Sequence, residues 1–215
     1  MPSERFRRRR LPHWDRPGAA YFVTTCLEGS IPAEGLLDLI RNRERLALLA
    51  RPSDIPAAQW TERLAKLDFA RTDHWLDRQS AVRHLEDPEL AGIVVDAVRF
   101  FDGHRYDLLA YAVMPSHFHW VFLPLPGWIA GLEKTDRSPR EQIIHSINRH
   151  TAYECNKRLG KNGEFWQHES YDHWVRDGDE LERIIEYVEA NPVKAGLVSA
   201  ADLWPFSSAR CERKD

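Results

Sequence analysis

Cysteine is scarce and badly spaced for a structural role. The 215 residues hold three, Cys26, Cys155 and Cys211, far apart, odd in number and without a Cys-x-x-Cys pair. That argues against a disulfide framework or a cysteine-built zinc site and for a reducing cytoplasm. Long apolar runs are also missing, since no stretch approaches the roughly 18 residues that span a bilayer. The basic start, Arg5 and then Arg7 to Arg10, is not followed by the apolar core of an export signal, so export is not expected. Neither sign of charge dominates: 29% of residues are charged and the net charge is -3. The 43% that are hydrophobic suffice for one sizeable domain over residues 1–215, or one domain plus a small appendage.

The near-neutral sum hides clusters. Acidic residues gather between Asp177 and Glu189, basic ones at Arg5–Arg10 and again between Arg137 and Lys161. Residues 1–16 read as a basic arm, open to two readings: a solvated tail, or guanidiniums that meet nucleic-acid phosphates. Leu11 and Trp14 supply apolar anchors, so the arm is expected to dock.

Periodicity divides the rest. Ala20–Leu27 is β-branched and aromatic between Pro17-Gly18 and Gly29, a strand. Leu36–Ala50 repeats leucine at helical spacing and stops at Arg51-Pro52, and Trp60–Phe69 reads as a shorter helix. Residues 32–85, broken by prolines on both sides, are expected to form a helical insertion. Pro88–Phe101 is a helix with Leu90, Ile93, Val94, Ala97 and Val98 as its stripe. Tyr106–Met114 is a second strand, and Pro115-Ser116 turns it into a third, a hairpin. Pro139–Leu159 is a helix with Ile143, Ile144, Ile147, Ala152 and Tyr153 on an apolar face. Its other face, with Arg140, His145, Asn148, Arg149, Lys157, Arg158 and Lys161, is either solvated or, if it lies beside the third strand, a nucleic-acid surface. Gly160 stops it. Glu164–Asp177 then mixes aromatics with cations, the means of stacking unpaired bases and holding their phosphates.

Two sets of residues carry chemistry. His117 and His119 lie two apart on the third strand, so both imidazoles share a face. They are half of a metal site, or one exposed ring and one hydrogen-bonded ring at a sheet edge. In the last helix, capped by Asp177 with Glu180 three residues on, Leu181, Ile184, Ile185 and Val188 form the buried stripe and Pro192 is the expected end. Tyr187 and Asn191 project one turn apart from the edge of that stripe. They are reactive groups, or a rim-of-core tyrosine and a helix cap.

Met114-Pro115 before the His-x-His strand, Phe165-Trp166-Gln167 with Tyr171-Asp172-His173 and Arg176-Asp177, and Tyr187 to Val198 closed by Trp204-Pro205-Phe206-Ser207-Ser208-Ala209, together resemble the REP-associated tyrosine transposases. These are single-tyrosine HUH nucleases. Arg9-Arg10-Leu11-Pro12-His13-Trp14 and Tyr21-Phe22-Val23-Thr24 extend the resemblance nearly end to end, with residues 32–85 the least typical part. Ser116 stands where the family often has Asn.

The resemblance implies an α+β fold, an antiparallel sheet of ferredoxin-like or RRM-like topology with helices on its faces. It implies a metal-dependent endonuclease and strand transferase for single-stranded or hairpin DNA, forming a 5′-phosphotyrosine link and a free 3′-hydroxyl. His117, His119 and Asn191 would hold Mg²⁺ or Mn²⁺, the third place being open to a side chain from Trp166–His173 instead. Tyr187 would be the nucleophile, with Tyr171 as the alternative. Tyrosine attacks as phenolate, scarce at neutral pH with a free pKa of about 10. Arg7, Arg8, Arg9, Arg10, Arg149, Lys157, Arg158, Arg176 and Lys194 would hold phosphates, and Trp14, Trp166 and Trp174 could stack bases. A monomer is favoured over a dimer that exchanges helices, acting at the bacterial nucleoid. A catalytically silent DNA-binding protein of the same fold and a water-using metal hydrolase are the rival readings.

Overall fold

A computed structural model describes residues 5–8, 12–16, 18–76, 80–133, 136–168 and 170–210, with backbone alone at 5–8 and 12–15. The chain divides into two compact units, residues 29–82 and the remainder.

The larger unit is built on four antiparallel strands, β3 (Tyr21–Cys26), β4 (Tyr106–Val113), β5 (His117–Pro124) and β6 (Tyr171–Trp174), in the order β4-β5-β3-β6. Helix α3 (Pro88–Phe100) falls between the first and second of these, and α5 (Pro139–Leu159) between the third and fourth. That succession and strand order make the expected ferredoxin-like α+β arrangement. The β4–β5 turn at Pro115-Ser116 is closed by the Met114 N–H on the His117 carbonyl at 2.8 Å. A short helix, α4 (Pro126–Ala130), leads from β5 toward α5.

Local chemistry sets the helix ends. The Asp87 side chain accepts from the Glu89 N–H at 2.9 Å with Pro88 in the first turn, and Ser138 and Glu141 form a reciprocal capping box on α5. On α3 the buried residues include Leu90, Val94, Ala97 and Val98 as expected, whereas Ile93 is only half-buried. On α5, Tyr153 is not on the apolar face but 65% exposed. The stripe continues at four-residue steps through Ile147, Thr151 and Cys155, all buried, which leaves position 153 most of half a turn away.

Helix α6 (Gly178–Lys194) runs through Pro192 rather than ending there. Proline withdraws its own N–H and crowds the preceding turn, yet the carbonyls of Asn191 and Pro192 still accept from Ala195 and Leu197, each at 2.9 Å, and carry the helix on. Gly196, at φ +69°, is where the chain leaves the helix. Beyond it, residues 204–208 cover the outer edge of β4: the Val113 N–H donates to the Phe206 carbonyl at 2.8 Å and the Tyr111 N–H to Ser208 Oγ at 3.0 Å.

Alternation gives the sheet two different faces. Tyr21, Val23, Phe118, Trp120 and Phe122 point one way, where the Tyr106 hydroxyl donates to the Val98 carbonyl of α3 at 2.7 Å and Trp166, 5.2 Å from the Phe118 ring, donates Nε1 to Thr151 of α5 at 2.9 Å. Phe22, Thr24, His117 and His119 point the other way, toward α6. The arm is a two-stranded antiparallel ribbon, β1 (Arg5–Arg8) on β2 (Pro12–Asp15), paired from Arg5↔Asp15 to Arg8↔Pro12.

The smaller unit holds α1 (Ala33–Ala47) and α2 (Ala57–Leu76). Helix α2 outruns the expected Trp60–Phe69 because its last turn is tied down: Trp75 donates Nε1 to Asp38 of α1 at 2.8 Å and Arg71 pairs with the same carboxylate. The helices approach closely at Gly35, where a Cβ would lie 2.9 Å from the Trp75 ring. Among the described residues no helix is long and apolar enough to cross a membrane. Cys26 and Cys155 are buried and not joined in a disulfide, and Cys211 lies outside the described residues.

Candidate functional site

On β5, His117 and His119 are 2% and 0% exposed, and their Nε2 atoms face each other at 3.1 Å. The other nitrogen of each ring meets a hydroxyl: Thr24 Oγ1 lies 2.7 Å from His119 Nδ1, and Ser116 Oγ 3.1 Å from His117 Nδ1. The β3–β5 register explains Thr24, which pairs directly with His119. Burial, helped by the Lys194 charge, lowers the His119 pKa to about 3. The ring is therefore neutral at physiological pH, the form that ligates cations.

Helix α6 brings the other residues. The ring of Tyr187 lies 5.6 Å from that of His119, edge to face, and 5.9 Å from Phe22, whose ring is itself tilted against His119 at 5.6 Å. Lys194 Nζ stands 5.6 Å from the Tyr187 ring. Asn191 is fully buried, donating Nδ2 to the Tyr187 carbonyl at 3.4 Å, while its Oδ1 is buried without a hydrogen-bond partner among the described residues. An orphaned amide oxygen is costly in a core, and a cation would satisfy it. Two imidazole nitrogens at 3.1 Å are spaced as neighbouring ligands of one ion at about 2.1 Å would be. The donor set thus fits a divalent metal.

Other expected residues are less close. Tyr171 reaches the same face through Phe22, ring centroids 6.3 Å apart. His173 has Nε2 3.3 Å from Glu180 Oε1. Arg176 is clamped on Glu180, donating Nε and Nη2 at 3.3 and 3.2 Å. Arg149 and Lys157 are exposed on α5, and Arg158 there pairs with Glu89. Since α5 covers the opposite face, the sheet stands between these three cations and the histidines. Trp166 is core rather than a stacking plane, 6% exposed with its N–H bonded to Thr151. Trp174 lies under the Arg16 guanidinium, 4.0 Å from its ring centre. Arg7, Arg8 and Trp14 belong to the ribbon, their side chains undescribed, and Arg9 and Arg10 lie outside the described residues. The reading from sequence missed the orienting part of Thr24 and the spacer part of Phe22. The only available signal was their place on the strand opposite β5.

No family model matches the chain. It is 26% identical over 115 residues to a putative REP-associated tyrosine transposase of Haemophilus influenzae, covering 50% of this chain and 61% of that protein. It is 26% identical over 103 residues to the REP-associated tyrosine transposase of Escherichia coli, covering 48% and 54%. The alignments thus span little more than half the length of these curated relatives. A solved structure of a REP-associated tyrosine transposase bound to a REP hairpin superposes with a TM-score of 0.51 at 15% identity, over 91% of this chain and 79% of that one. That likeness concerns the fold.

Proposed function

We propose that this relative of the REP-associated tyrosine transposases cleaves and rejoins single-stranded DNA beside a hairpin, with Tyr187 as the nucleophile. The observation that carries the reading is the approach of the Tyr187 ring to within 5.6 Å of His119, whose Nε2 faces that of His117. Tyr187 is preferred to Tyr171 because its ring meets His119 directly.

A divalent cation, Mg²⁺ or the more imidazole-compatible Mn²⁺, held by His117, His119 and Asn191, would polarise a non-bridging oxygen of the scissile phosphate. Thr24 and Ser116 hold the two rings with Nε2 inward. The Tyr187 oxygen forms a bond to phosphorus as the bond to the 3′-oxygen breaks, and the phenolic proton ends on that leaving oxygen. A 5′-phosphotyrosine and a free 3′-hydroxyl result. Attack by another 3′-hydroxyl reverses the step, so rejoining needs no nucleoside triphosphate. Lys194 favours the phenolate by its charge. It also contacts phosphate, with Arg176 and the Arg7–Arg10 arm, while Trp14 offers a stacking plane. Arg149, Lys157 and Arg158 serve DNA that passes behind the sheet. Because His119 and Tyr187 meet within one chain, a monomer suffices, working on DNA in the bacterial cytoplasm.

The test is a labelled hairpin with a single-stranded flank, incubated with Mn²⁺ and resolved under denaturing conditions. Wild type and Tyr171→Phe are expected to form a covalent protein–DNA adduct, and Tyr187→Phe none. No adduct in wild type, or an equal one in Tyr187→Phe, overturns the assignment. Cleavage without any adduct would instead favour a water-using hydrolase.

A further inference from the structure

The helical unit of residues 29–82 carries a groove of its own. Of about 620 Å³, it is lined by Asp38, Arg41, Asn42, Arg45, Arg71 and His74, with Leu67 and Ala70 as its apolar part. Its charges do not balance. Asp38, the single carboxylate in that lining, accepts Nε and Nη2 of Arg71 at 2.7 Å each and Nε1 of Trp75 at 2.8 Å. It therefore cancels Arg71 alone, and among the described residues no carboxylate pairs with Arg41 or Arg45, both exposed.

Behind Arg45 stands a buried polar relay. Asn42 and Asp68 are 9% and 8% exposed. Asp68 accepts from Arg43 Nε at 2.9 Å and from Asn42 Nδ2 at 3.3 Å, which turns Asn42 Oδ1 to accept Nη2 of Arg45 at 3.0 Å. Position 42 lies on the buried stripe of α1 with Leu39 and Leu46, where a helix pair built only for packing would carry leucine. Burying an amide and a carboxylate is unfavourable unless each is bonded. What this network delivers is a guanidinium held in one orientation at the groove.

We propose that this groove is a second DNA contact, in which Arg41 and the pre-set Arg45 bind neighbouring phosphates of the sugar–phosphate backbone. A guanidinium fork matches two phosphate oxygens, and Leu67 and Ala70 suit the apolar side of a deoxyribose. No base is read, so the contact adds affinity without sequence preference. The inference rests on the reading of the chain as a DNA enzyme but uses none of its active-site residues.

The experiment is fluorescence anisotropy of a labelled hairpin oligonucleotide with the full chain over a salt series, in EDTA so that no cleavage intervenes. For Arg41→Gln/Arg45→Gln the slope of log affinity on log salt is expected to fall by about 1.8 if the groove holds duplex, or about 1.4 if it holds single strand. Affinity should drop roughly tenfold or more at low salt, equally for an unrelated base sequence. Asn42→Leu keeps the net charge and the branched shape, and should weaken binding several-fold while the protein stays folded, its melting temperature lowered only modestly because Asp68 still accepts from Arg43. An unchanged slope and affinity in the double variant overturn the contact, and an unchanged affinity in Asn42→Leu overturns the pre-set Arg45. A lowered slope in a protein that forms no covalent adduct upholds the groove while sinking the nuclease reading. Adduct formation with an unchanged slope does the reverse.

Discussion

The two faces of the sheet are cut from the same strands, and along β5 they alternate residue by residue: His117, Phe118, His119, Trp120. Burial does not distinguish them, since all four are at most 2% exposed. Chemistry does. On one face Trp120 stacks on Phe122 at 4.3 Å and meets Tyr106 at 5.7 Å, with α3 and α5 closing over them. On the other, two imidazoles, two hydroxyls and an amide oxygen without a partner are shut in beneath α6. An apolar side chain earns its burial through transfer and packing. A polar one gains little even when bonded and is costly when not. The first face, although Thr25 Oγ1 and Trp120 Nε1 there also lack hydrogen-bond partners among the described residues, accounts for the fold by its apolar area, and the concentration of polar groups on the second needs a reason other than stability.

Substitutions on the two faces should part accordingly. Trp120→Ala on the apolar face is expected to destabilise by about 3–5 kcal/mol, seen as a large loss of melting temperature by circular dichroism. On the polar face Tyr187→Phe, expected to abolish the adduct, should stay within about 1 kcal/mol of wild type. Similar melting of the two variants would erase the distinction. One ion pair qualifies the apolar face: Arg140 of α5 and Asp172 of β6, with side chains 3% and 2% exposed, pair there, and the Arg140 guanidinium lies 5.7 Å from the Tyr21 ring. Asp172→Asn would take the paired carboxylate away from a buried guanidinium, and about 3 kcal/mol should be lost in urea unfolding. A loss under about 1 kcal/mol would mean that Arg140 finds another anion or water.

Which of these features sequence can carry follows from their range. Alternation along β5 is local, so the shared face of His117 and His119 was legible, as were the turn at Pro115-Ser116 and the cap at Asp177. The strand order followed from the family resemblance, whose motifs fall in β3, β5 and β6. What α5 faces is not local. Its basic residues could be read, but not that the sheet separates them from the histidines. The path of α6 through Pro192 turned on carbonyl partners at Ala195 and Leu197, beyond the proline that seemed to end it. Trp166 in an aromatic run looks the same whether it stacks on a base or donates to Thr151 fifteen residues back. The polar relay of Asn42 and Asp68 joins residues 26 apart on two helices, a pairing that no spacing rule marks.

Thr24 gives the finest division between the faces, because its neighbours Val23 and Thr25 point into the apolar side while its own hydroxyl lies 2.7 Å from His119 Nδ1. Valine at this position keeps the branched shape and removes only the oxygen. If the hydroxyl is there for packing, Thr24→Val should leave cation binding untouched. If it holds the ring so that Nε2 faces His117, Mn²⁺ affinity by calorimetry should fall about 10- to 100-fold, the usual effect of losing the partner of a ligating histidine. Stability should fall by about 1–3 kcal/mol, because His119 Nδ1 is left buried without its partner, and the protein should remain folded. Adduct formation should then return toward wild type at saturating Mn²⁺, since Tyr187 and both imidazoles are still present. Ser116→Ala should do the same more weakly, its oxygen standing 3.1 Å from His117 Nδ1 rather than 2.7 Å.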